Sequence, residues 1–209
     1  MARPREFDEA TVLDAAVECF WSRGYEATSI RDLIDKTGLT GASLYNAFGD
    51  KRAFYRRALD HYVAGSIGER IRRCEAMKPR EAIEAFLAEI VKRSLEDKDR
   101  KGCMLVNTAL DVAPHDPVFR ESVASVLLRI ETFFLSSVRQ GQADGSISSS
   151  QAADELARHL LGVLMGVRVL ARVRPERALI EGVVRPALAL LAPEGTKFGG
   201  SVAGVVDSS

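Results

Sequence analysis

The chain has 209 residues, 46% of them apolar and 28% charged, which suits one or two small globular domains with a real core. Lys plus Arg number 29 and Asp plus Glu 29, so a uniformly basic nucleic-acid coat is excluded and any such binding must use a local patch. Cys19, Cys74 and Cys103 are odd in number and far apart, which excludes a disulfide framework or a CxxC ligand pair and fits a reducing cytoplasm.

Helical spacing runs along the whole chain and period-2 alternation is almost absent. Leu13, Ala16, Val17 and Phe20 share a stripe, with Asp8 near its start and Gly24 past its end, so a helix is expected over about 8–23. Ser29 and Asp32 have capping-box spacing ahead of Ile30, Leu33 and Ile34, and the apolar face stops at Gly38. Thr40 is placed to cap a third short helix with Leu44 and Tyr45, and Gly49-Asp50 restarts the chain as a long helix to about 73. Pro79 opens the next helix, with Ile83, Phe86, Leu87, Ile90 and Val91. A charged connection leads to a short helix from Cys103 to about Val112. Pro114 and Pro117 bracket a turn into a long helix expected to end near Gly141. Ser150 is read as the cap of a helix to about Val173, and Pro175 as a first-turn residue of the last helix, with Pro186 kinking it or tightening it locally. The Gly- and Ser-rich stretch after 194 is expected to be disordered. The resulting fold class is all-α, with about nine helices.

The stretch from Thr28 to Asn46 reads as two short helices joined by a tight turn. Gly38 supplies the positive φ of that turn, and Leu39 fills the space between the helices. A second helix presented this way fits the DNA major groove. Neither helix is long enough to stand alone, so the helix over 8–23 must buttress both.

The residues from about 8 to 57 resemble the DNA-binding domain of the TetR family of bacterial transcriptional repressors. The likeness lies in Phe20, Gly24-Tyr25, Thr28-Ser29-Ile30-Arg31-Asp32-Leu33, Gly38-Leu39-Thr40, Ser43-Leu44-Tyr45, Phe48 and Lys51, about fifteen positions in order and spacing. The resemblance implies a helix-turn-helix domain over 1–50, a connecting helix over 51–73, and a ligand-binding and dimerisation domain over 74–193. It implies phosphate contacts from Thr28, Ser29, Tyr45 and Lys51, with Arg31 also among the DNA-binding residues. Thr40, Gly41, Ala42, Ser43 and Asn46 would face the groove; Asn46 can pair with adenine or meet a phosphate, and Ala42 can touch a thymine methyl. Residues 1–60 carry nine Lys/Arg against ten Asp/Glu, so affinity must come from placement, with Arg3, Arg5, Arg31, Lys36, Lys51 and Arg52 set against acids on the far faces.

The last two expected helices are apolar over much of their circumference. In the resembling family they pair with the twin subunit, which implies a homodimer through Leu160, Val163, Leu164, Val167, Ile180, Val183, Val184 and Leu188, with Gly162 and Gly166 permitting close approach. A two-fold protein implies a pseudo-palindromic operator. Phe86, Ile90, Cys103, Met104, Asn107, Phe119, Phe133, His159 and Met165 are candidate walls of a pocket for a small apolar inducer, although the same residues suit an ordinary core. Cys103 follows Arg100-Lys101-Gly102 at a helix start, where a thiol gains reactivity. The segment from Gly102 to Asn107 is also similar to one in a TetR subgroup, some of whose members sense electrophiles or oxidants. The expected function is a cytoplasmic, ligand-responsive repressor released from its operator by a small-molecule inducer, with a Cys103-based thiol sensor or an activator as alternatives. No enzyme, cofactor or metal is expected: GxSxG, HExxH, P-loop and GxGxxG motifs are missing, and His61, His115 and His159 lie far apart.

Overall fold

A computed structural model describes residues 7–193. Among these residues every regular element is helical, and no helix is long and apolar enough to cross a membrane. The expectations for Arg3, Arg5 and the tail from 194 lie outside the described residues.

The first three helices form because each start is capped locally and each end meets a glycine. Helix α1 (Glu9–Arg23) begins where the Asp8 carboxylate accepts the N–H groups of Ala10 and Thr11, and stops at Gly24, φ 82°. Helix α2 (Ile30–Thr37) carries the full capping box of Ser29 and Asp32, and Gly38 leaves it in the left-handed region, φ 72°. Helix α3 (Gly41–Phe48) starts from Thr40, whose hydroxyl oxygen accepts the Ser43 N–H.

Helix α4 (Lys51–Val63) starts from Asp50 and runs through a π-helical turn, Ala64–Gly68, into α5 (Glu69–Glu75). The rod expected over 50–73 is therefore continuous in path but not in pitch. Helix α6 (Pro79–Glu96) begins at its proline, and α7 (Met104–Asp111) begins after Cys103. The long α8 (Pro117–Asp144) is capped by Asp116, and α9 (Ala153–Val173) and α10 (Arg177–Ala189) complete the bundle. With 51–75 taken as one rod, the described residues form nine rods, as expected. Buried apolar side chains from Val12 on α1 to Leu191 beyond α10 make one continuous core.

Three expected boundaries move. Helix α8 ends at Gly145, φ 79°, not at Gly141. Ala152 precedes α9 without a side-chain cap, because the Ser150 hydroxyl is engaged with Ser148 at 2.9 Å. Glu176 occupies the cap of α10, so Pro175 lies outside the first turn, while Pro186 is inside the helix as expected.

Gly141 stays helical for a packing reason. A Cβ there would come within 2.6 Å of both Ile147 Cδ1 and Cγ1, where the chain after Gly145 folds back and the Ile147 N–H bonds the Gly141 carbonyl. Gly141→Ala should therefore destabilise the protein by about 1–3 kcal/mol through overpacking, against a gain of about 1 kcal/mol expected from helix propensity alone. Urea unfolding checks this; a more stable variant would contradict the close packing.

Candidate nucleic-acid interface and sensor cavity

The α2–α3 pair is held from beneath by Leu33 and Leu44, both fully buried, and by Phe48 stacked on Phe54 at 4.3 Å. Phe20 meets Tyr55 edge-on at 4.8 Å and so ties α1 to α4. A Cβ at Gly41 would lie 3.4 Å from Ile34 Cδ1, so the start of α3 sits close against α2. The outward side of α3 presents Thr40, Ala42, Tyr45 and Asn46, all exposed, with Gly41 and Ser43 half-buried. Tyr45 is 52% exposed despite its apolar ring.

Not every expected phosphate contact is available. Thr28 is fully buried and its hydroxyl donates to the Gly24 carbonyl at 2.7 Å, so it serves the α1–α2 connection instead. The Ser29 N–H and hydroxyl both donate to the Asp32 carboxylate, at 2.8 and 2.6 Å. Those hydrogen bonds, led by the side-chain one from Ser29, hold the Asp32 carboxyl below the usual carboxylate range. Arg23 also pairs with Asp32. The α2 terminus is thus already occupied by its own carboxylate, which competes with a phosphate. Arg31 and Lys36 remain exposed on α2, with no ion pair among the described residues.

Lys51 reaches across to the Glu26 carbonyl at 3.2 Å, with its ammonium 4.5 Å from the Tyr25 ring centroid. This fixes its position while leaving its charge without a carboxylate partner among the described residues. Arg52 is different. Its guanidinium grips Asp116 with two hydrogen bonds, 2.5 and 2.8 Å, across to the start of α8. It is a clasp between the two halves of the molecule rather than a groove cation.

The clasp has a pH signature. The Arg52 hydrogen bond, aided by the N–H groups of Val118 and Phe119, lowers the Asp116 carboxyl to about 2. A depressed carboxylate adds stability above its unfolded value, about 3.9, and that stability is lost as pH falls through about 2. Arg52→Gln should move the Asp116 carboxyl titration, followed by carbon NMR, upward toward the ordinary range. An unmoved midpoint would remove Arg52 as the cause.

Three further links join the halves. The Tyr55 and Thr108 hydroxyls meet at 2.8 Å, joining α4 to α7. Phe119 packs on Tyr55 at 5.3 Å and on Tyr25 at 6.3 Å. Lys101 bonds the Glu18 carboxylate through its ammonium at 3.1 and 3.2 Å, while its carbonyl accepts both Trp21 Nε1–H, 3.1 Å, and the Asn107 amide, 2.9 Å. Arg172 on α9 donates to Asn107 Oδ1 at 3.0 Å. The loop ahead of Cys103 thus rests directly on α1.

Behind that loop lies a cavity of about 20 Å3 walled by α4, the π turn, α5, α6, α7, α8 and α9. Of the expected pocket residues, Phe86, Ile90, Cys103 and Met165 line it. The other five do not, and each has a physical reason. Met104 is buried in the core beside it, and Phe119 belongs to the aromatic cluster between the halves. Phe133 stacks behind Phe86 at 5.2 Å. Asn107 is held by Lys101 and Arg172, and His159 is exposed on the outer face of α9.

Sequence reasoning missed four polar wall residues: Tyr62, Ser66, Arg70 and Arg168. The signal was present, since Arg168 follows Leu160 and Leu164 at four-residue spacing on a buried stripe. The Tyr62 hydroxyl donates to Cys103 Sγ at 3.6 Å, and burial pushes that phenol well above its ordinary range. Burial likewise draws Arg70 down from its ordinary value, opposed by Glu89.

The expected dimer face also needs correction. Leu160, Val163, Leu164, Val167, Ile180 and Val184 are buried in the chain's own core; Val183 and Leu188 are partly buried. The open face of α9 carries Gly162, Gly166, Val169 and Val173 at helical spacing. A Cβ on either glycine would meet nothing within 4 Å, and the two valines are 42% and 69% exposed.

Comparison with known proteins adds to this geometry. Residues 12–58 match the model of bacterial regulatory proteins, tetR family. Residues 79–186 match the tetracyclin repressor-like C-terminal domain. The uncharacterized HTH-type transcriptional regulator YezE of Bacillus subtilis (strain 168) is 29% identical over 193 residues, 91% of this chain and 100% of that protein. The HTH-type transcriptional repressor ComR of Escherichia coli (strain K12) is 28% identical over 172 residues, 81% of this chain and 82% of that one. A cysteine mutant of the TetR family transcriptional regulator CifR, solved with 26-bp double-strand operator DNA, is 33% identical with a TM-score of 0.79, covering 91% of this chain and 100% of that chain.

Proposed function

The chain belongs to the TetR family of bacterial regulatory proteins, and from that premise we propose that it is a cytoplasmic repressor that binds a pseudo-palindromic operator as a homodimer and leaves it when a small molecule enters the cavity. The observation that carries the reading is the exposed α3 surface of Ala42, Tyr45 and Asn46, mounted on a buried scaffold and flanked by the positioned ammonium of Lys51. An α-helix displayed in this way enters the major groove, with phosphate contacts fixing its register.

The links between the halves supply the response. A ligand that widens the cavity presses on its walls, α7 and the π turn among them. Helix α7 is tied to α4 through Thr108 and Tyr55, and the loop before it to α1 through Lys101. Movement of α7 therefore reaches two helices that carry α2 and α3. The ligand need only bind the displaced state better, by a few kcal/mol.

A second reading is favoured by one contact: Cys103 is a cavity wall and accepts the Tyr62 hydroxyl bond. Modification of that thiol would push on the same walls as a ligand, which makes Cys103 a candidate sensor of electrophiles.

The test is a mobility shift with the upstream region of the protein's own gene, at stated salt. A complex that survives excess random duplex supports the reading. No preference for that region over random duplex, in a protein that also ignores a random-sequence selection, overturns it. Parallel titration of electrophiles against the complex with the protein and Cys103→Ser separates the two sensing modes.

A further inference from the structure

Most of the cavity wall is apolar, and two of the residues that line it are cationic. Arg70 is 2% exposed and Arg168 7% exposed, and the Nε of each finds no acceptor among the described residues. The hydrogen bond Arg168 makes is from Nη1 to the neutral Ser94 hydroxyl, 3.1 Å. It has no carboxylate partner among the described residues. Arg70 reaches the Glu89 carboxylate at 3.1 Å, but Glu89 also serves Arg73 and Arg93, at 2.6 and 2.9 Å. Three guanidinium groups therefore share the Glu89 carboxylate while Arg168 pairs with none, and Arg70 and Arg168 both line the cavity.

Buried guanidinium charge without a partner is costly, and a fixed pair of N–H donors matches the two oxygens of a carboxylate. Much of the remaining wall is hydrocarbon, with Ile67, Phe86, Ile90, Leu127, Ile130 and Leu164 beside the Tyr62 and Ser66 hydroxyls and the Cys103 thiol. Resting on the ligand-responsive reading above, we propose that the effector is a small organic carboxylate with an apolar body. Its carboxylate meets the Arg70 and Arg168 Nε–H groups, and its body lies among the six apolar side chains.

At about 20 Å3 the cavity holds little more than one water, so the effector must widen it. The π turn is suited to this, because Ser66 and Ile67 within it are walls. A π segment holds one residue more per turn than an α-helix, and rewinding it shifts the wall without breaking the rod.

The experiment is calorimetric titration of the full chain, without DNA, with octanoate against octan-1-ol and 4-phenylbutanoate against 4-phenylbutan-1-ol. A purely apolar cavity prefers each alcohol, because a carboxylate loses more hydration on entry. The proposal expects at least one carboxylate to bind tighter than its alcohol by about tenfold or more, the worth of one charge-assisted pair. Arg168→Gln should lower that carboxylate's affinity by about tenfold and leave the alcohol unchanged. If the variant fails to fold, the carboxylate-to-alcohol ratio of the unaltered protein decides alone. Alcohols binding as tightly as the carboxylates, or both carboxylates weaker than about 1 mM, would overturn the proposal. Because no DNA is present, that result is independent of whether the mobility shift succeeds.

Discussion

A Tyr45→Ala, Lys51→Ala double variant is expected to fold normally and to lose operator affinity by roughly a thousandfold or more. The phenol of Tyr45 is half in solvent, and its removal leaves Leu44 and Phe48, the buried members of α3, untouched. Lys51 contributes its ammonium to the Glu26 carbonyl and the Tyr25 ring, both replaceable by water at the surface. On DNA the balance differs. An ammonium–phosphate hydrogen bond is worth about 1.5–3 kcal/mol and a neutral hydroxyl bond about 0.5–1.5. Two copies of each in a dimer sum to about 4 kcal/mol or more, a thousandfold in affinity. Because phosphates carry no sequence information, operator and random duplex should weaken together. The salt dependence should also fall by about two phosphate equivalents, one Lys51 per subunit. Asn46→Ala makes the contrast: deleting a side chain that reads a base costs about 1–3 kcal/mol at one position of the operator and little on random duplex. Fluorescence anisotropy across a salt series reads all of these. If the double variant kept its affinity with an unchanged slope, neither side chain would be on the backbone.

Local chemistry explains where the sequence was readable. The Ser29–Asp32 capping box, the Thr40 cap and the left-handed Gly38 all depend on residues within four positions of each other, and all were legible. The end of α8 was not. Gly141 reads as a terminator until Ile147 is seen to fold onto it, a contact set by the Gly145 turn beyond. Thr28 looks like a phosphate donor by position, but its depth beneath Gly24 depends on how α1 and α2 pack. Periodicity placed Leu160, Leu164 and Val167 correctly on one stripe; it carries no information on whether α8 of the same chain or a second subunit covers them. The cavity suffered the opposite error. Apolar residues were gathered as its walls, whereas Arg70 and Arg168, the residues that give it chemical character, were passed over because a charged side chain is normally surface.

That same ambiguity sets the second large effect. Since the inward stripe of α9 is spent on the chain's own core, the outward one, where Gly162, Gly166, Val169 and Val173 lie at successive turns, is the α9 face open to a second subunit. Val169→Glu with Val173→Glu is expected to leave the subunit folded, because both side chains are substantially exposed and surface changes of this kind stay within about 0.5 kcal/mol. In a dimer joined through this face the same four carboxylates would meet across the two-fold axis in a closed apolar seam, where unpaired charge is not tolerated. Sedimentation should then show a single subunit. DNA binding should fall by about a hundredfold or more, since each recognition helix loses the high effective concentration its twin provided. Leu160→Glu separates the two faces: a carboxylate there enters the core and should unfold the chain rather than split a dimer. A Val169→Glu, Val173→Glu protein that still sediments as a dimer would move the seam off α9. The exposed α10 face of Pro186 and Leu190 would be the next surface to carry the same substitution.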